Sequence, residues 1–343
     1  MGEKEPNNNL LHPDVSNAVS NHEGNVMNTQ PKLAYSKEPQ VEVATIATSA
    51  VLIDLHVSTW TGRKRDKITS AEVNISKQTT SDKAASVIKN LMTDDKDLDS
   101  VRAYAQDARL WLQKHTIAWS DGGTRLLPSA LIFEVTSELD GRITEYEARV
   151  AKFIDAYPIK VSAAAFKLGQ LFNRNEFPSA DSLARKFGMH YIITPVPTAG
   201  DFRVDVQNEV GEYLKAQYSK AADARVAVMM REPWERAYDT LVHAKDRMDT
   251  MLAYEPGDAD SKRNRPKLFQ SMFDNGLEMA KLLDGLNITK DPQLADCAAR
   301  MRRLFSGHDV KSVRESPELQ TAIKKQVEDM LEVFDFGDFK ELE

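Results

Sequence analysis

Hydrophobic positions along this chain change period several times, and each change marks an expected element. Val51, Ile53, Leu55, Val57 and Thr59 alternate with smaller or polar residues, so a half-buried strand is predicted within 45–60. Ser81–Leu91 and Leu98–Thr116 read as helices; in the second, Val101, Tyr104, Ala105, Ala108, Trp111 and Leu112 recur at three- and four-residue steps. Pro128 suits a helix start. Leu139, Ile143, Tyr146, Val150, Phe153 and Tyr157 then follow at 4-3-4-3-4 spacing, with Pro158 as the expected stop. A short apolar helix over Val161–Phe172 is predicted next. Another runs from Pro178 to Phe187, with Ser179 or Asp181 as its cap and Gly188 as its end.

The run Tyr191–Val206 interrupts the helical pattern. Pro195 and Pro197 exclude helix interior, Gly200 permits a sharp turn, and Asp201–Val206 alternate charged and apolar residues. An extended elbow between two helical halves is predicted there. Helix resumes over Gln207–Met230, with Pro233 expected to break it. Trp234, Tyr238, Leu241, Lys245, Met248 and Leu252 repeat the 4-3-4-3-4 spacing. Three further amphipathic helices are predicted over Lys267–Leu286, Pro292–Ser306 and Pro317–Val333.

The expected fold class is therefore mainly α with a small β element (α+β). The two heptad-like runs would pack as a long antiparallel helical hairpin, beside a small helical C-terminal unit. Residues 1–45 hold seven asparagines and little apolar periodicity, and read as disordered. The main helical domain is expected over 46–255, the C-terminal helical unit over 256–333, and an acidic, aromatic tail over 334–343.

Composition narrows the function. The 343 residues are 41% hydrophobic and 28% charged, with a net charge of −7, which disfavours whole-protein attraction to nucleic acid. No apolar run reaches about 18 residues, and the N-terminus lacks a basic, then apolar, leader, so neither membrane span nor signal peptide is expected. The single cysteine, Cys297, excludes an internal disulfide and a cysteine-based zinc cluster. It reads as a small buried apolar residue in a reducing, cytoplasmic compartment.

Four stretches carry candidate contacts. Thr61–Lys67 holds Arg63, Lys64, Arg65 and Lys67 against Asp66, either a solvated turn or a phosphate or acidic-partner contact with Trp60 as a stacking neighbour. A second basic turn spans Ser261–Lys267, and with Arg300, Arg302 and Arg303 it could complete one patch. The elbow is either a structural crossover or a contact loop that presents Asp201 and Arg203. The tail interleaves Phe334, Phe336 and Phe339 with acids, as a frayed end or as a docking peptide for a basic-rimmed pocket. Catalytic signatures are sparse. No GxxxxGK[ST] or GxGxxG accompanies Gly122-Gly123, the seven histidines show no i, i+4 pair, and Asp335-Phe336-Gly337 lacks the kinase companions. Asp54 and His56 share a strand face, which a surface strand does by chance. No cofactor or metal is expected, and a motif-poor enzyme would be betrayed by a pocket with converging carboxylates and a shifted histidine.

The segments VLIDLHVSTWTGRKRDK, GGTRLLP, Leu168–Phe172, Asn175–Ser179 and PVPTAGDFRV resemble an uncharacterised family of bacteriophages, plasmids and integrative conjugative elements, over Val51–Leu252. The resemblance implies genes near a MoxR-type AAA+ ATPase and a von Willebrand A-domain protein, alongside recombination genes, in a bacterial host. It carries over no catalytic residues. The resulting expectation is a non-enzymatic interaction or adaptor protein that assembles with itself or with an AAA+ ATPase. A nucleic-acid-binding accessory factor is the alternative.

Overall fold

The computed structural model describes residues 46, 48–81, 83–120, 123–197, 208–254, 266–334 and 336. The expected disorder of 1–45, the Asp201–Val206 alternation and most of the second basic turn lie outside them. The described chain is mainly helical with a small antiparallel sheet, as the periodicities predict.

Strand β1 (Ala50–Ser58) is the sheet's axis. It pairs with β5 (Arg125–Pro128) through Ala50–Ile53 and with β6 (Gly188–Pro195) through Val51–Ser58, both antiparallel; β4 (Ile117–Ala118) flanks β5. Part of the expected elbow is thus a strand. It starts at Gly188, where a helix was expected to end, because β1 offers a full ladder to a run rich in Tyr191, Ile192, Ile193 and Thr194. Pro195 sits at the end of this edge strand, a position where proline is tolerated in a sheet. The loop expected over 119–128 likewise ends in β5.

The basic stretch is not a turn. Arg63–Asp66 forms β2, paired with β3 (Val87–Asn90), which replaces the helix expected over 81–91. Between them lies α1 (Lys67–Ser76), capped by the Asp66 carboxylate accepting from Thr69 N–H at 2.9 Å. Short, charged strands carry almost no apolar period, so the pattern conceals them.

Helix α2 (Lys96–His115) follows expectation. Asp95 caps it, Asp97 and Asp99 lie in the first turn, and Lys114 and His115 in the last, matching the helix dipole. Helix α3 runs through Ile132–Leu168, 37 residues and about 55 Å long. Pro158 does not stop it. The proline points outward, and the buried face continues past it from Phe153 and Tyr157 to Val161 and Ala164. That packing outweighs the cost of an interior proline, about 3 kcal/mol. Gly169, at φ +50°, ends the helix. The expected helix over 178–187 shrinks to α4 (Ala180–Ala184), capped by Ser179.

The second half begins with α5 (Asn208–Met229) and α6 (Arg231–Leu252). The break falls at Met230, and Pro233 lies in the first turn of α6, where no intrahelical donor is needed. Helices α7 (Gln270–Leu286), α8 (Pro292–Phe305) and α10 (Pro317–Val333) match expectation, and a short α9 (Val310–Glu315) joins the last two.

The two heptad-like seams take different partners. The seam of α3 packs chiefly on α2, with Trp60, Leu98, Phe153 and Tyr157 in one cluster and Val101, Ala105 and Tyr146 in another. The seam of α6 packs on α10 and α7, through Trp234, Leu241, Met248, Phe273 and Met330. The same core continues into β1 and α8, so α7–α10 share it with α6.

Candidate functional site

The basic ribbon holds most of the sequence-derived candidates. Side chains alternate across β2, so Arg63 and Arg65 share a face with Ile88 of β3. Lys64, Asp66 and Lys89 occupy the other. Arg63, Lys64, Arg65 and Lys67 are exposed, as are Ile68, Ile75 and Ile88. The inner face is locked by buried Lys89, which lies 3.1 Å from Asp66 and 2.6 Å from Glu176 and donates to the Leu171 carbonyl at 2.9 Å. Burial pushes the Lys89 ammonium down, but its hydrogen bonds to Glu176 and Asp66 outweigh that and hold it above the ordinary lysine value. Lys89 thus ties β3 to β2 and to the segment around Leu171 and Glu176.

Trp60 is not a stacking neighbour for a ligand. It is 8% exposed and packs edge-on against Tyr157 and obliquely on Phe153. Arg300 and Arg302 are committed to Asp296 and Asp284. Phe334 and Phe336 are not docking residues either. Both are buried, with Phe336 1% exposed between Trp234 (5.8 Å) and Tyr238 (5.2 Å). Asp201, Arg203 and Phe339 lie outside the described residues.

Two histidine sites emerge that spacing did not reveal. His56 and His190 face each other across β1 and β6, ring centroids 5.0 Å apart and stacked, beside Arg109 in a shallow cleft. His115 ends α2, stacked on Trp111 at 4.1 Å with Nδ1 2.8 Å from the Trp111 carbonyl. It lines a cleft of about 390 Å³ with Glu134, Asp274, Glu278 and Lys281. Burial pushes its imidazole down, so the neutral ring is favoured. A neutral histidine among carboxylates is the arrangement an acid–base site would need. Here, however, Glu278 is paired with Lys114 at 2.7 Å, and among the described residues no three His, Cys, Asp or Glu side chains are placed to hold a metal. Cys297 is buried, its thiol pushed up to about 12 by burial, which suits a packing residue.

Among the described residues, the outward face of α3 carries three strongly exposed apolar side chains. Phe133 is 85%, Ile159 77% and Phe166 91% exposed. From Phe133 to Phe166 the solvent side recurs at three- and four-residue steps through Gly141, Thr144, Ala148, Ala151 and Asp155. This second stripe was legible in principle, but its small residues register weakly on a hydrophobic scale and the inner seam of large residues masks it. Lone exposed apolar residues are ordinary; three on one helix, two of them phenylalanine, are not.

Comparison with known proteins found no matching family model, no matching curated protein and no matching solved structure.

Proposed function

We propose that this chain is an interaction protein, which acts by presenting helical surfaces to other macromolecules. One observation carries the reading: α3 is anchored along its inner face while its outer face holds Phe133, Ile159 and Phe166 in water. Keeping two phenylalanines exposed on a well-packed helix costs solvation free energy that a partner would recover, about 25 cal/mol per Å² covered. The partner is a second copy of the chain or another protein. The motif resemblance adds an AAA+ ATPase as a candidate for the latter. Affinity purification from cells with the wild type and with Phe133→Asp/Phe166→Asp tests this. The expected result is a specific set of captured proteins, the chain itself included, that the double variant loses. The same set captured by both would contradict it.

A second reading is favoured by the ribbon, where Arg63 and Arg65 project from one face on a locked base. Such a pair suits phosphate contact. Binding to nucleic acid would then weaken steeply with salt, and Arg63→Ala/Lys64→Ala/Arg65→Ala would flatten the slope. No mobility shift at low salt would end this reading.

A further inference from the structure

We infer that α3 is a homodimer interface, in which its outward face packs antiparallel on the same face of a second copy. This rests on the interaction reading above and names its partner. The stripe matches itself when reversed. With a twofold axis between residues 149 and 150, Phe133 of one copy meets Phe166 of the other, Ser137 meets Ser162, Thr144 meets Asp155, and Ala148 meets Ala151. A twofold interface requires such reciprocity, since each contact must occur twice. The alanines at the centre let the backbones approach closely, and the aromatic residues close both ends.

Charge selects the same arrangement. The half of α3 before the axis carries Glu134, Glu138, Asp140, Glu145 and Glu147 against Arg142 and Arg149, a net −3; the half after it carries Lys152, Lys160 and Lys167 against Asp155, a net +2, with Lys160 turned inward to Asp95 and Asp97. Antiparallel packing sets acidic half against basic half, whereas parallel packing opposes like charges. On one flank Glu145 comes within a helical turn of Lys152 of the other copy, and Glu134 within a turn of Lys167. Some of these groups already have partners within the chain. Glu145 meets Arg149 at 2.8 Å, Lys152 meets Asp97 at 2.9 Å, and Lys167 donates to the Thr93 carbonyl at 2.9 Å. Lys152 still has a side chain 76% exposed, able to bridge to a second carboxylate. These exposed pairs set orientation, and coverage of the phenylalanines drives association.

Sedimentation velocity of the full chain over a range of concentrations tests the interface. The wild type is expected to reach twice the 38.5 kDa chain mass. Phe166→Asp, a change at an exposed position, is expected to leave a folded monomer. Glu145→Lys is expected to weaken the dimer by roughly tenfold or more, since it places like charges within a turn of each other twice. Glu145→Lys/Lys152→Glu restores the pairing and is expected to recover the dimer. A monomer at every concentration would overturn the inference, and the interaction reading would then rest on the capture experiment alone. A dimer that Phe166→Asp leaves intact would overturn the α3 interface while leaving a self-associating chain.

Discussion

Glu232 shows how one side chain can help tie four elements together. Its carboxylate accepts from the Ala118 N–H at 2.7 Å and pairs with Arg125 at 3.1 Å and with Arg236. The two arginines in turn donate to the Gln113 and Thr116 carbonyls, the open end of α2. Helix α2, strands β4 and β5, and the start of α6 are thereby tied together. Burial pushes the Glu232 carboxyl up, but the Ala118 bond and the pull of Arg236 and Arg125 outweigh it, so it lies below its ordinary value. A depressed carboxylate stabilises the fold fully above its unfolded value, about 4.3, and the contribution is lost as pH falls through the folded value. Glu232→Gln is expected to cost about 1–3 kcal/mol near pH 7 by urea denaturation, and the gap to wild type should close below about pH 4. An equal gap at pH 7 and pH 3 would contradict that assignment. None of this was legible in the sequence, where Glu232 stands out only as the residue before Pro233. Gly276 was equally silent: a methyl group there would enter the Phe305 ring, so α7 and α8 pack at a distance only glycine allows.

At the scale of elements, periodicity located β1, α2, α6, α7, α8 and α10 because each has a strong apolar period and buries it. It failed where charge or proline spoke louder than packing. β2 and β3 carry Arg63, Lys64, Arg65 and Lys89, and only their buried ion pairs explain the ladder. Pro158 was a reasonable stop, but a helix held along about 55 Å of core tolerates one missing hydrogen bond. Pro158→Ala should therefore raise the melting temperature, by the equivalent of about 1–3 kcal/mol; no rise in thermal denaturation would mean the proline is accommodated without cost. Phe336 departs from expectation for a related reason. Aromatic residues among acids resemble a docking peptide, yet Phe336 closes the core against Trp234 and Tyr238. Phe336→Ala is expected to cost about 3–5 kcal/mol. Loss below 1 kcal/mol in the same denaturation assay would return this residue to the surface.

For the whole molecule, composition set limits without naming a function. A net charge of −7 over 343 residues hides an uneven arrangement, with a basic ribbon at β2 and a helix α3 acidic in one half and basic in the other. The candidate surfaces were only half visible beforehand: Arg63, Lys64 and Arg65 were, as a charge run, but the outer stripe of α3 was not. Its meaning depends on knowing which face of the helix the core already uses. The central claim is that this outer stripe is a contact surface built to meet its own copy. Disulfide trapping tests it most directly, because the sole native cysteine, Cys297, is buried. One full-length chain carries Ala148→Cys and another Ala151→Cys; the two are mixed, allowed to exchange and oxidised. The account expects a covalent heterodimer from the mixture, far more than from either chain alone, and its loss when Phe166→Asp is added to both. No covalent dimer from the mixture, or the same yield with Phe166→Asp present, would contradict it.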